Sequence, residues 1–188
     1  VVVLGNHDAA AIGGDAGLMN ANAQAAITWT RDQLGESQRA FLESVPLTVK
    51  NDNMLFVHAS AAAPEQWTYV TDPAAAEQSI GAGNVNYVFC GHVHEQSLYY
   101  MGTGGRPMPF VPVPGVPIPT GRHRQWLAIA GSAGQPRDGN NAACYAFFDT
   151  ERERLTYFRV PYAHGIAAQK IRAAGLPERL ALRLEHGA

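Results

Sequence analysis

Three short polar strings constrain this chain more than any other feature, because each directly follows a run of apolar residues. They are Gly5–Asp8, Phe56–Ala59 and Cys90–His94. A short apolar run bounded by polar residues predicts a buried strand, and open α/β sheets build their sites at the carboxyl ends of such strands. The side chains that these strings bring to one edge of a sheet are Asn6, His7, Asp8, His58, His92 and His94.

The side chains at this edge have the chemistry of metal ligands. Imidazole binds zinc, iron and manganese, and amide and carboxylate oxygens suit the harder ions of that group. A mixed nitrogen and oxygen site without thiolates is typical of a catalytic ion with an open position. Gly5 and Gly91 permit a sharp turn after their strands. The alternation of an extended chain predicts that His92 and His94 point to one side.

The order of the strings resembles that of the calcineurin-like metallophosphoesterase family, in which a GNH-[DE] motif, a lone histidine after an apolar strand and a GHxH motif follow one another. Here these motifs are Gly5–Asp8, His58 and Gly91–His94. The resemblance covers Val1 to about Tyr100. A later segment, Gly131–Gly139 (GSAGQPRDG), is similar to a bacterial phosphoesterase branch of the family. The resemblance implies an α/β fold with a layered β-sheet core flanked by helices.

The resemblance also implies a role for each candidate residue. The implied metal ligands are Asn6, His58 and His92 for one ion and His94 for the other. His7 is the implied acid or transition-state stabiliser, oriented by Asp8, and a simple cap on the following segment is the alternative for Asp8. Two divalent ions are expected, with manganese favoured and iron or zinc left open, since mixed ligation alone does not separate them.

The implied reaction is hydrolysis of a phosphomonoester or phosphodiester. Two metal ions would activate a water for attack on phosphorus in line with the leaving oxygen, and His7 would assist the leaving group. The expected partner is a small phosphorylated substrate or a phosphoprotein. A nucleotide, a dinucleoside polyphosphate and a simple phosphodiester are all compatible with the sequence.

Two earlier motifs of the family, an Asp-x-His and a Gly-Asp, have no counterpart in this sequence. The chain is therefore expected to be the C-terminal portion of a longer protein, with a fold incomplete at the N-terminus and a site that needs the missing N-terminal segment. The alternative is a catalytically incomplete metal- or partner-binding module, which predicts at most one weakly bound ion and no turnover. A third interpretation is a half-fold that recruits strands from a partner chain, which requires an exposed sheet edge near Val1–Leu4.

Composition places the chain among globular proteins. Its 188 residues, 46% hydrophobic and 16% charged, are expected to form one domain over residues 1–188. The net charge of −2 does not suggest a nucleic-acid polymer or an acidic membrane surface as partner, and no apolar stretch is long enough to span a bilayer. Cys90 and Cys144 lie in apolar runs and are interpreted as reduced core thiols of a cytoplasmic protein, with a disulfide left open. Oligomeric state is left open as well.

The residue pattern also predicts local elements. We expect a strand at Val1–Leu4, a loop at Ala9–Met19, and a helix at Ser37–Leu42 with Ser37 as its N-cap. Six prolines lie between Gly102 and Arg122. Because proline fixes φ and cannot donate to a sheet ladder, they predict an extended surface arm at about 102–122. A substrate flap and a dimer contact are the alternatives for this arm.

Two further segments have roles that the sequence leaves open. Arg137 and Asp138 predict a salt-bridged turn in preference to a phosphate contact. Trp67 and Tyr69 follow His58 and are expected to anchor their loop, with packing against a substrate as the alternative.

Overall fold

The computed structural model describes residues 1–17 and 19–188, which form six helices and nine strands. The helices are α1 Asn6–Ala11, α2 Ala21–Gln33, α3 Glu36–Ser44, α4 Pro73–Gly83, α5 His164–Ala173 and α6 Glu178–His186. The strands are β1 Thr48–Asn51, β2 Met54–Val57, β3 Tyr87–Cys90, β4 Gln96–Met101, β5 Pro107–Phe110, β6 Ile118–Pro119, β7 Trp126–Ala130, β8 Ala143–Asp149 and β9 Arg154–Val160. A short 3-10 turn spans Pro64–Gln66.

Two sheets form the core. The larger has the strand order β1-β2-β3-β7-β4-β5, and the smaller has the order β6-β9-β8. Strands β2, β3 and β7 are parallel neighbours. Strand β1 runs antiparallel to β2, β4 runs antiparallel to β7, and β5 runs antiparallel to β4. Parallel strands at the centre of a sheet are covered on both faces, which explains why β3 and β7 are almost entirely apolar.

The two faces of the larger sheet are packed against different layers. Val88 and Ile129 point to a cluster that also holds Ile80 of α4. Their chain neighbours Tyr87 and Ala128 point to the opposite cluster, which includes buried residues of β9 in the smaller sheet. Since successive side chains in a strand alternate between faces, one buried strand serves both layers. The predicted α/β fold with a layered β-sheet core flanked by helices is confirmed.

Local sequence signals explain most of the element boundaries. Asp72 caps α4 by accepting a hydrogen bond from the Ala75 N–H at 2.9 Å, and Pro73 occupies the first helical position. Asp52 takes a positive φ of 54° in the turn between β1 and β2, which pair in antiparallel register up to Asn51 opposite Met54. Both features belong to standard helix starts and tight hairpins.

Three local predictions were wrong. Val1–Leu4 is not a strand: the backbone bond that joins it to the fold runs from the Leu4 N–H to the Pro46 carbonyl at 2.8 Å, and a strand requires a continuous ladder. Residues 9–11 of the predicted loop belong to α1, and position 18 of that loop lies outside the described residues. Ser37 lies inside α3, because Gln38 reaches back to accept from the Gly35 N–H at 2.6 Å and Gly35 is therefore the cap.

The proline-rich arm of residues 102–122 lies at the edges of both sheets. Pro107–Phe110 forms the outermost strand of the larger sheet beside β4, and Ile118–Pro119 pairs with β9. An edge strand leaves one row of backbone groups without ladder partners, so the missing N–H of proline is tolerated there. The exclusion of the arm from the sheet interior is confirmed, although parts of it are strand rather than loop.

Both cysteines, Cys90 and Cys144, are buried free thiols. Burial raises the pKa of Cys90 to about 12, so this thiol stays protonated and packs as an apolar side chain. Within the described part of the chain, no helix combines the length and the apolar character that crossing a bilayer requires.

Candidate functional site

Three predicted ligands converge at the carboxyl ends of β2 and β3. His58 Nε2 lies 3.0 Å from Asn6 Oδ1 and 3.1 Å from His92 Nδ1. The two strands are parallel neighbours, so the loops that follow them emerge at the same sheet edge. A hydrogen bond from the Gly91 N–H to the His58 carbonyl, 3.0 Å long, joins these loops directly.

A glycine allows the first helix to approach His58. A Cβ atom on Gly5 would lie 3.1 Å from His58 Nδ1 and 3.1 Å from Asp8 Oδ2, closer than ordinary packing permits. The Gly5 N–H also donates to Asp8 Oδ2 at 2.9 Å, which caps the start of α1. The Gly-Asn-His-Asp string therefore fixes the position of Asn6 through both its first and its last residue.

His92 and His94 do not lie on an extended segment, so the predicted alternation was wrong. Strand β3 ends at Cys90, and both histidines have left-handed backbones with φ of 64° and 70°. This region costs a residue with a Cβ atom about 1–2 kcal/mol. Non-glycine residues held there against that cost cluster at functional sites.

The ring of His94 is held by the loop that follows β7. Its Nδ1 lies 2.7 Å from the Gln135 carbonyl oxygen, and its own carbonyl accepts from the Arg137 N–H at 3.2 Å. A carbonyl oxygen can only accept, so Nδ1 carries the ring proton and Nε2 is left with a free lone pair. A backbone carbonyl behind one ring nitrogen is the usual way in which a metal-binding histidine is oriented.

The site favours neutral imidazoles. Burial, followed by the neighbouring histidines, lowers the pKa of His92 to about 4. Burial also lowers the pKa of His94 to about 4, although the hydrogen bond to Gln135 opposes the shift, and the pKa of His58 is lowered mainly by burial. Neutral imidazole is the form that binds a metal ion, so the ligands are ready for one at neutral pH.

His7 projects from α1 into the cavity beside this cluster. Burial lowers its pKa, the Asp8 carboxylate opposes that shift, and the Arg137 charge adds to it. Among the described residues, the side chain of Asp8 bonds to the backbone of Gly5, which matches the capping alternative. The orientation of His7 by Asp8 stays a prediction.

The donor set fits a divalent cation. Ligands bound about 2.1 Å from one ion at right angles to each other lie about 3 Å apart, which matches the separations around His58 Nε2. Within residues 1–17 and 19–188, no group of three His, Cys, Asp or Glu side chains is placed to hold an ion. The Asn6 amide oxygen is therefore required to complete a three-ligand set from this chain.

An open cavity of about 560 Å³ adjoins the cluster. Asn6, His7 and His92 line it together with residues beyond the three strings. Sequence reasoning left Arg137 a phosphate contact only as the alternative, and it assigned no site role to the other lining residues Gln66, Gln135, Ile171, Leu176, Leu180 and Arg183. Among the residues that the structure describes, none of the proline-rich arm lines this cavity.

Among the described residues, the turn at Arg137–Asp138 is salt-bridged as predicted, but only through Asp138; the prediction was wrong for Arg137, which lines this cavity. Asp138 pairs with Arg159, which reaches it from β9. The Arg137 guanidinium donates to Gln135 Oε1 at 3.0 Å. A turn motif alone does not tell which of two adjacent charged residues faces a site.

Two aromatic residues form the rim above the histidines. The Tyr69 ring stacks on the His92 ring with a centroid distance of 4.0 Å, and the Trp67 ring meets the His58 ring edge-on at 5.9 Å. Both also line the cavity, and Tyr69 is 48% exposed. The aromatic loop therefore restrains two ligand rings while remaining accessible to a bound molecule.

His58 and His92 follow the parallel strands β2 and β3 of a layered sheet, and Asn6 joins them from α1. Residues 1–153 match the family model of the calcineurin-like phosphoesterase superfamily domain. The chain therefore belongs to the calcineurin-like phosphoesterase superfamily, a class of hydrolases.

Three proteins are similar to this chain. A crystal structure of a metallophosphoesterase from Sphaerobacter thermophilus is 32% identical and superposes with a TM-score of 0.85, over 99% of this chain and 76% of that one. The uncharacterized protein MJ0912 of Methanocaldococcus jannaschii is 31% identical, over 97% of this chain and 73% of its own. The crystal structure of the hypothetical protein PH1004 from Pyrococcus horikoshii OT3 shares the fold at 19% identity and a TM-score of 0.76, over 100% and 73% of the two chains.

Proposed function

We propose that this protein hydrolyses phosphomonoester or phosphodiester bonds with the help of two bound divalent ions. The observation that carries the proposal is that His58 Nε2 lies 3.0 Å from Asn6 Oδ1 and 3.1 Å from His92 Nδ1. These atoms meet where α1 approaches the loops that follow the parallel strands β2 and β3. Oxygen and imidazole donors in this geometry support a catalytic ion better than a structural one.

The ligand roles that we propose are those implied by the family resemblance. Asn6, His58 and His92 would hold one ion, and His94 would offer its free Nε2 to the other. When bound, such ions supply a Lewis acid for phosphoryl oxygens and lower the pKa of water. We favour manganese because of the family resemblance, with iron and zinc as alternatives, since mixed nitrogen and oxygen donors accept all three.

The chain's own residues handle the leaving group. His7 lies at the cavity wall beside Asn6, where its ring can donate a proton or a hydrogen bond to the departing oxygen. Burial lowers the pKa of the His7 ring and the Asp8 carboxylate opposes that shift, while Asp8 also fixes the helix start that carries the ring. Because phosphoryl transfer depends on positioning and charge, no covalent enzyme intermediate is needed.

A small phosphorylated molecule is the substrate class that the cavity supports best. Its volume of about 560 Å³ lies in the range of ordinary small-ligand pockets, and a phosphorylated protein side chain is the alternative. We do not propose a nucleic-acid polymer or a membrane as partner, given the net charge of −2. The free buried cysteines support a reducing, cytoplasmic setting for the protein. We treat residues 1–188 as one domain.

The test is hydrolysis of p-nitrophenyl phosphate and bis(p-nitrophenyl) phosphate by protein loaded with Mn²⁺. We expect turnover that EDTA abolishes and Mn²⁺ restores, and a loss of at least about 100-fold in kcat/KM for His92→Ala. His123→Ala, at an exposed histidine away from the cavity, is the matched control. Turnover that survives both chelation and His92→Ala would overturn the proposal.

A metal- or partner-binding module without catalysis is the second candidate. It is favoured because the described residues contain no cluster of three His, Cys, Asp or Glu side chains that could hold an ion. In the ligand roles proposed above, a second ion would have His94 as its ligand from this chain. This candidate predicts no more than one ion per chain by elemental analysis and no turnover of either ester. Two ions together with turnover would exclude it.

A further inference from the structure

Two arginines from distant parts of the chain meet at one glutamine in the cavity. Gln135 Oε1 accepts from Arg137 Nη2 at 3.0 Å and from Arg183 Nη1 at 3.4 Å. Arg137 lies in the loop after β7, and Arg183 lies in α6. Both line the cavity together with Asn6 and His92, so their charges face the same space as the candidate metal cluster.

These charges lack acidic partners. Within the part of the chain that the structure describes, the salt bridges are formed by Arg122, Arg152, Arg159 and Arg172. The Nε atom of Arg137 is buried without a hydrogen-bond partner. A buried donor of a charged group that is left unpaired is costly, and an anion in the cavity would satisfy it.

The two charges also disfavour each other. Burial comes first and the Arg137 charge second in lowering the pKa of Arg183. The Arg137 charge reaches His92 and His94 as well, and contributes to their lowered pKa values. Arg137 and Arg183 therefore focus positive electrostatic potential into the cavity.

The acidic residue of the cavity does not cancel this potential. Asp15 also lines the cavity, and its Oδ1 accepts from the Gly17 N–H at 2.7 Å. Among the described residues it forms no ion pair with either arginine. The Asp15 carboxylate is bound by the backbone of its own turn, so Arg137 and Arg183 remain available to a ligand.

We propose that Arg137 and Arg183 form a subsite for a second acidic group of the substrate, next to the position of the phosphoryl group that reacts. Planar guanidinium groups bind phosphate and carboxylate oxygens through paired hydrogen bonds. The substrate would then be a phosphate ester whose leaving part carries a phosphate or a carboxylate. This subsite rests on the proposed function for its reaction, although its anion binding can be measured alone.

The subsite draws on a part of the chain outside the family's matched region. The family model ends at residue 153, whereas Arg183 belongs to α6, Glu178–His186. Helices α5 and α6 close the cavity with apolar residues that include Ile171 and Leu180. The C-terminal helix pair therefore sets substrate preference, while the cluster at the sheet edge provides the general chemistry.

The kinetic test compares kcat/KM for phenyl phosphate, 4-carboxyphenyl phosphate and 1,4-phenylene bisphosphate. We expect the parent protein to prefer the doubly acidic esters, and Arg183→Gln to reduce that preference, as a ratio of kcat/KM values, by about 10–100-fold. Arg183→Lys keeps the charge without the fork and should recover part of the preference. The ester with the larger loss in Arg183→Gln identifies carboxylate or phosphate as the second group.

The matched control is Arg179→Gln, which removes an exposed positive charge one turn earlier in the same helix and should leave the preference unchanged. Equal losses in Arg179→Gln and Arg183→Gln would reduce the effect to general electrostatics and overturn the subsite. A parent protein without preference for doubly acidic esters would overturn it too.

A binding measurement separates the subsite from the proposed reaction. Inorganic pyrophosphate is titrated calorimetrically into EDTA-treated protein, in which the arginines and not the metal ligands provide the anion site. We expect binding that Arg137→Gln and Arg183→Gln each weaken by at least about 10-fold, with unchanged thermal unfolding. If no ester is hydrolysed but this binding holds, the proposed function fails and the subsite stands; absence of binding in the parent protein overturns the subsite.

Discussion

His94 Nδ1 lies 2.7 Å from the carbonyl oxygen of Gln135. The bond fixes the ring tautomer and directs Nε2 away from the loop after β7. The same loop sends the Arg137 N–H to the His94 carbonyl. A segment without metal ligands of its own therefore determines how one candidate ligand presents itself.

Gly131 begins this loop in a conformation and a space that favour glycine. It has a φ of 83°, and a Cβ atom there would lie 2.7 Å from the Cβ of Cys144 and 2.8 Å from the Cγ of Gln96. We expect Gly131→Ala to lower the free energy of unfolding by about 2–4 kcal/mol, since left-handed strain and overpacking add. Urea unfolding monitored by circular dichroism measures the loss.

The same loop offers a control for that substitution. A Cβ atom on Gly134 would meet no atom within 4 Å, and its φ is not in the left-handed region. Gly134→Ala should therefore change the free energy of unfolding by less than about 0.5 kcal/mol. Similar losses in the two variants would contradict the packing argument.

His58 is the shared neighbour of the two other donors in the three-ligand set. Because it lies within 3.1 Å of both Asn6 and His92, we expect His58→Ala to weaken Mn²⁺ binding by at least about 100-fold. Elemental analysis after Mn²⁺ loading and dialysis should show about one ion fewer per chain than in the parent protein. His123→Ala should retain the parent's metal content, and an equally loaded His58→Ala would show that His58 is not a ligand.

Much of the fold followed from the sequence because its signals are local. The apolar runs before His58 and Gly91 form the strands β2 and β3, as predicted. Val1–Leu4 has the same apolar character as β3 but is not a strand, since strand formation depends on pairing partners that composition does not reveal. For α1, the capping bond of Asp8 outweighed the glycine-rich appearance of the loop.

Only the candidate metal ligands of the site were predictable from the sequence. Asn6, His58 and His92 stand in recognisable strings, and they do meet. The left-handed backbones of His92 and His94 could not be seen, because alternation assumes a strand that has already ended. Arg183 carried no sequence signal, since a helical arginine acquires its meaning only when α6 packs beside the loop after β7.

His7 is expected to matter most when the leaving group is poor. A general acid contributes little when the leaving oxygen is already stable as an anion. We therefore expect His7→Asn to lower kcat for phenyl phosphate by about 100-fold or more, and to lower it much less for p-nitrophenyl phosphate. Equal losses for both esters would mean that His7 positions the substrate and does not protonate the leaving group.

The metal-free protein should lose stability as the pH falls from 6.5 to about 4. Burial lowers the pKa of His92 and of His94 from 6.5 to about 4 in the folded state. Between these values the unfolded chain binds protons that the folded chain does not, so protonation favours unfolding. The loss of stability caused by these two histidines is absent above pH 6.5. It grows as the pH falls and levels off below their folded-state pKa of about 4.

The measurement is the thermal unfolding temperature of EDTA-treated protein across that window. Carboxylates also lose interactions as the pH falls, so the specific readout is the comparison with His92→Gln, whose profile should be flatter because one buried imidazole has been removed. His123→Gln removes an exposed imidazole and should follow the parent profile. A His92→Gln profile parallel to that of the parent would show that His92 is not held neutral by the fold, and the ligands would then not be ready for a metal ion.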